Sequence, residues 1–155
     1  MARCPHFPVC PGCPYAGTPY PEQLRRKQER LESALRTEPS LAALRPEELA
    51  GSPRPFGYRN QAKLVFRARR SRRGGRPEVV LGIYRPGTHS VVPAERCPVH
   101  VPRLRPLLGQ LRRSVEELGI PIYDERSREG ALRYAVARWS SLLGASHLML
   151  VSAVE

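Results

Sequence analysis

Gly57-Tyr58-Arg59-Asn60-Gln61-Ala62-Lys63-Leu64-Val65-Phe66-Arg67-Ala68-Arg69 alternates, with Tyr58, Ala62, Leu64 and Phe66 on one face and Arg59, Gln61, Lys63 and Arg67 on the other. Successive side chains of a strand point to opposite faces, so this is a strand with one buried face and one wet, basic face. A turn at Ser71–Pro77 leads to a second strand at Glu78–Tyr84. Pro86-Gly87 then turns the chain into a short third strand around Ser90–Val92. Strands joined this closely pair antiparallel.

Upstream, Leu24, Lys27, Leu31 and Leu35 share one face of an amphipathic helix over residues 21–37, with Pro21 and Glu22 in its first turn. Residues 38–56 carry four prolines and read as a linker with one helical turn near Pro46–Leu49. Downstream, residues 100–118 place Leu104, Leu107, Leu108, Leu111, Val115 and Leu118 at helical spacing and stop at Gly119. An extended piece at Ile120–Tyr123, a strand at Leu132–Trp139, a turn at Gly144 and a strand at His147–Val154 follow. The expected fold is an α+β domain: an antiparallel sheet with two main helices. The chain closes on Val151–Glu155 inside strand-like sequence, so a longer protein is expected.

The chain has 155 residues, room for one modest core. Its formal charge is +12, and of 26 basic residues only Lys27 and Lys63 are lysines. Arginine's planar fork suits phosphate oxygens and stacks on bases, so the expected partner is a polyanion, although a GC-rich genome would inflate arginine too. The charge is concentrated. Arg54–Arg76 holds eight arginines, Lys63 and no acidic residue, interleaved with Phe56, Tyr58 and Phe66. RNA-binding sheets combine cations for phosphates with rings for unstacked bases, whereas most charge runs are only solvated faces. The Arg69–Arg76 tip with Gly74-Gly75 is expected to order on meeting such a polyanion. No signal-peptide run or membrane-length apolar stretch occurs, and a cytoplasmic protein is expected.

Residues 1–19 hold three cysteines, five prolines and no periodicity, so something other than a helix or sheet must order them. Cys4, Cys10 and Cys13 have the spacing C-x5-C-x2-C, and Cys97 follows Cys13 after 83 intervening residues. Pro5, Pro11, Pro14 and Pro98 follow the four cysteines and bias them to extended backbone. In a reducing compartment four such thiols suit an iron-sulfur cluster, tetrahedral zinc or no ligand at all, and three near cysteines plus one remote favour the cluster. A metal site here would tie the coil of residues 1–20 to the sheet near Cys97. His6 and His100 neighbour these cysteines and read as solvated or supporting groups rather than ligands.

Taken in order, the cysteine pattern, Tyr20-x2-Gln23-Leu24-x2-Lys27, Gly57–Lys63, Leu81-Gly82-Ile83 before Cys97-Pro98, and Gly130-Ala131-Leu132-Arg133-Tyr134 resemble the S-adenosylmethionine-dependent RNA uracil-5-methyltransferases. The resemblance covers nearly the whole chain. It implies a 4Fe-4S cluster on Cys4, Cys10, Cys13 and Cys97, and RNA as partner, 23S ribosomal RNA in particular. It implies RNA contact by Arg59, Asn60 and Lys63, with Arg67 on the same basic face. Residues 1–20 would be the cluster segment and 21–155 a central RNA-binding domain, with no OB-type domain ahead of it. In the family a cysteine thiolate attacks C6 of uracil and a carboxylate helps remove the C5 proton, both from a following Rossmann-like domain that binds S-adenosylmethionine. Here no glycine-rich cofactor turn and no fifth cysteine exist, so the chain by itself is expected to be inactive. A stand-alone RNA-binding iron-sulfur module and a zinc-stabilised adaptor are the competing readings.

Overall fold

The structure, a computed structural model, describes residues 4–71 and 77–153. Its elements are α1 (Tyr20–Thr37), β1 (Gln61–Arg69), β2 (Glu78–Tyr84), β3 (Val91–Pro93), α2 (Leu104–Glu117), β4 (Leu132–Ser140) and β5 (Ala145–Ser152). The five strands form one sheet in the order β3-β2-β1-β4-β5, antiparallel throughout. The α+β expectation holds. Most of the expected Ser71–Pro77 turn, the Arg72–Arg76 part of the basic tip and the end of the last strand from Val154 lie outside the described residues.

The alternation in β1 produces the core. Ala62, Leu64 and Phe66 are buried, Phe66 lying opposite Leu81 of β2 and Leu64 opposite Ala135 of β4. Over this face lies α2, whose Leu104, Leu108 and Val115 are buried one above another and pack towards β2 and β4. Each fully buried large side chain contributes about 1.5–3 kcal/mol of burial free energy. At the end of α2, Gly119 adopts φ +64, its N–H donates to the Glu116 carbonyl, and the Ile120 N–H donates to the Val115 carbonyl. That pair of bonds satisfies carbonyls the helix would otherwise leave open. At Gly82 a Cβ would lie 1.9 Å from the Val92 carbonyl oxygen, so only glycine lets β3 approach β2 there.

Four expectations need correction. β1 begins at Gln61 rather than Gly57, and Tyr58, assigned to the buried face, is 59% exposed. The cause is Gly57, whose φ of +68 bends residues 57–59 away to pair with the segment after Cys97: the Gly57 N–H donates to the Pro98 carbonyl, Arg59 N–H to Val99, and Val101 N–H to Arg59. Leu118 is 75% exposed because it stands at the C-cap of α2, beyond the packed turns. The linker has no helical turn at Pro46–Leu49; its turns fall at residues 39–43 and are not helix. There Pro39 fits a turn position and Glu38 accepts from the Ser40 N–H and hydroxyl, whereas Pro46 has no N–H to give.

Finally, α1 buries none of its residues. It is held instead through polar bonds to the coils on either side. The Gln23 amide donates to the carbonyls of Tyr15 and Thr18, the Tyr20 hydroxyl accepts the Ser52 N–H, and the Gln28 side-chain oxygen accepts the Leu49 N–H. Glu22 is held down to about 2 by hydrogen bonds from Arg25 and Arg26, an exposed cluster of the sort that adds little stability. No helix of the described residues is long and apolar enough to cross a membrane.

Candidate metal centre and nucleic-acid interface

Without periodicity, residues 4–19 fold as successive turns: Phe7 N–H bonds the Cys4 carbonyl, Cys10 the His6 carbonyl, Ala16 the Cys13 carbonyl and Thr18 the Tyr15 carbonyl. These turns aim three cysteines at the sheet. Cys97 arrives by another route, on the tight turn after β3 where its N–H donates to the Ala94 carbonyl and its carbonyl accepts from His100. The pairing of residues 57–59 with 98–101 sets this turn beside the start of β1. All four thiols are half-buried and free of disulfides. They line one cavity of about 70 Å3 together with Arg59 and Lys63.

Burial, and then the proximity of Cys97, Cys10 and Cys4, raises the Cys13 thiol above its ordinary value, while Arg59 opposes the rise. Gathering thiols in this way disfavours the thiolate unless a cation joins them. The donor set otherwise suits thiolates: the Gly12 N–H points at the Cys10 Sγ at 3.4 Å, and Arg59 supplies positive charge. Among the described residues no three Cys, His, Asp or Glu side chains are drawn together tightly enough to hold a metal ion. The thiols therefore share a void without closing on a single-ion coordination sphere. Two imidazoles line it as well. His100 is 4% exposed, and burial, then Arg59 and Arg105, lowers it to about 4, so it is neutral. His100 Nδ1 and His6 Nε2 are buried without hydrogen-bond partners among the described residues. Buried polar atoms left open in this way suit a further acceptor or donor in the cavity.

The four basic-strand residues separate by environment. Arg59 borders the thiol cavity and Asn60 is exposed, its carbonyl accepting the Trp139 N–H. Lys63 is an exposed residue whose Nζ sits 4.7 Å from the centroid of the Tyr134 ring, a cation-π contact. Arg67 is different: its side chain is 20% exposed and pairs with Asp124 at 3.0 Å. Cross-strand partners such as Tyr134 under Lys63, and Arg138 donating to Gln61 at 2.9 Å, escaped sequence reading because they depend on the β1–β4 register.

This chain is similar to curated bacterial proteins. It is 38% identical over 150 residues to an uncharacterised RNA methyltransferase of Gloeobacter violaceus, covering 97% of this chain and 32% of that protein. It is 35% identical over 144 residues to one of Synechocystis sp., covering 93% and 30%. The chain thus spans about a third of the length of the relatives it matches. No family model matches. Its fold is shared with part of the Pyrococcus abyssi tRNA (uracil-54, C5)-methyltransferase, solved in complex with S-adenosyl-L-homocysteine, at a TM-score of 0.71 and 24% identity over 96% of this chain and 33% of that one.

Proposed function

We propose that this chain is the iron-sulfur, RNA-contacting part of an RNA (uracil-5-)-methyltransferase. The observation that carries the reading is the meeting of Cys97 with Cys4, Cys10 and Cys13 around one cavity that Arg59 and Lys63 also border. Similarity along almost the whole chain to RNA methyltransferases, and the fold shared with a tRNA uracil-C5 enzyme, support the same assignment. In this reading the four cysteines hold a 4Fe-4S cluster, which when bound supplies a rigid inorganic cross-link between the coil and the sheet.

The chain's own residues then bind and orient. Arg59 and Lys63 take phosphate oxygens, Asn60 offers an amide to a base edge or sugar, and Arg67 braces the strand through Asp124 rather than leading the contact. With four thiols committed to the cluster, no thiol here is left to attack uracil C6. Methyl transfer from S-adenosylmethionine would belong to the remainder of a protein as long as the relatives. The proposed substrate of that whole protein is 23S ribosomal RNA, and its proposed setting is the reducing cytoplasm.

The test is anaerobic purification followed by metal and sulfide analysis and RNA titration. A brown protein with about four irons per chain, binding RNA with a salt slope of about 0.7 per phosphate contact, is expected. Stoichiometric zinc in place of iron, or no RNA binding at low salt, would overturn the proposal.

A further inference from the structure

A second cavity, of about 470 Å3, opens beside the thiols and shares Cys4, Gly12, Cys13, Ala16 and Val99 with the first. Its size falls within the roughly 300–1,000 Å3 of small-ligand sites. Four aromatic rings line it: Tyr15 and Tyr20 from the cysteine coil and the start of α1, Phe56 and Tyr58 from the segment leading into β1. The exposed cations Lys27 and Arg54 line it too, and among the described residues neither has an ion-pair partner. Rings converging from two separate segments would ordinarily close on each other as core, yet here Tyr58 stays 59% exposed. The Gln23 amide is oriented by donating to the Tyr15 and Thr18 carbonyls, and among the described residues its side-chain oxygen has no donor.

We infer that this cavity takes one unstacked base of single-stranded RNA, the rings stacking on its faces, Gln23 accepting from its edge, and Lys27 and Arg54 meeting the flanking phosphates. A base is flat, carries N–H donors on its rim and comes tethered to phosphate, which is the chemistry this lining meets. Tyr58 immediately precedes Arg59 and Asn60, so a strand lying along those residues reaches the cavity without a break. The inference rests on the RNA-contacting reading above and adds a discrete base site to it.

The experiment uses the cluster-loaded chain of residues 1–155 and an oligoribonucleotide of about ten nucleotides, inside the roughly 4–16 nucleotide footprint of single-strand binders. Binding is measured for that strand and for the same sequence as a duplex. Tyr58→Ala and Phe56→Ala are each expected to weaken single-strand binding about 5- to 100-fold, as loss of one stacking ring does, while duplex binding barely changes. Tyr58→Phe keeps the ring and should bind like the parent. Tyr58 is exposed, so its variants should fold, and an unchanged thermal melt checks this. If the parent binds RNA and both alanine variants bind the single strand equally well, the base site is refuted while RNA contact by the chain stands. If the cluster-loaded parent binds no RNA at low salt, the underlying reading fails and this one with it.

Discussion

Cys97 stands alone in sequence, and its partners come to it from a coil with no periodic structure. Cys97→Ser should therefore cost more than one ligand. Iron content is expected to drop, and residues 4–19 to become sensitive to limited proteolysis at a digestion level the parent survives. Equal resistance would contradict the tie. Arg67 and Asp124 allow a pH test. The Asp124 carboxyl lies below the usual carboxylate range, first because it accepts the Arg126 backbone N–H and then because of Arg67. A carboxyl depressed in the folded state stabilises the fold above its unfolded titration range, and that contribution is lost as the pH falls through the folded value. Arg67→Ala should move the Asp124 titration part of the way up, read by NMR, since the Arg126 bond persists. The same substitution should alter the salt slope of RNA binding less than Lys63→Ala does, because Arg67 is already paired.

Among the elements, β2 and β3 are the most tightly constrained by a single residue. Gly82→Ala puts a methyl group into the Val92 carbonyl, so β3 must move. A loss of about 3 kcal/mol or more in denaturant unfolding is expected. Because Cys97 sits on the turn after β3, binding of the proposed cluster should weaken alongside. In α2, Leu108→Ala removes a fully buried side chain facing the sheet and should cost about 2–5 kcal/mol, whereas a polar residue at the exposed Leu118 should cost almost nothing. Strand β5 shows how an apolar run can fail to be buried. Met149 and Leu150, on opposite faces of this edge strand, both stay about half exposed, and α2 lies towards β2 and β4.

Across the whole molecule, stability is unevenly distributed. The sheet and α2 own the core, while α1 buries nothing and hangs on hydrogen bonds to the Tyr15–Thr18 coil and to residues 49–52. If the proposed cluster is bound, removing it with a chelator should open the cysteine coil and, with it, α1. Amide exchange in residues 4–37 is expected to accelerate while β1, β2 and β4 keep their protection. Loss of protection throughout would mean that the metal site holds the core as well.

The amino-acid sequence determined the local elements, because helix and strand periods are written in neighbouring side chains. The alternation of Ala62, Leu64 and Phe66 and the spacing of Leu104, Leu108 and Val115 each needed only a few residues to be read. It also supplied the donor chemistry: four thiols, each before a proline, and a run of arginines. Tertiary structure decided which of these groups meet. Gly57 bends Tyr58 out of the strand and pairs residues 57–59 behind Cys97, and the β1–β4 register seats Lys63 on Tyr134. Residue 124, far along the chain, claims Arg67. Such contacts depend on the paths of separated segments, and local pattern carries no information about a path until the sheet has assembled.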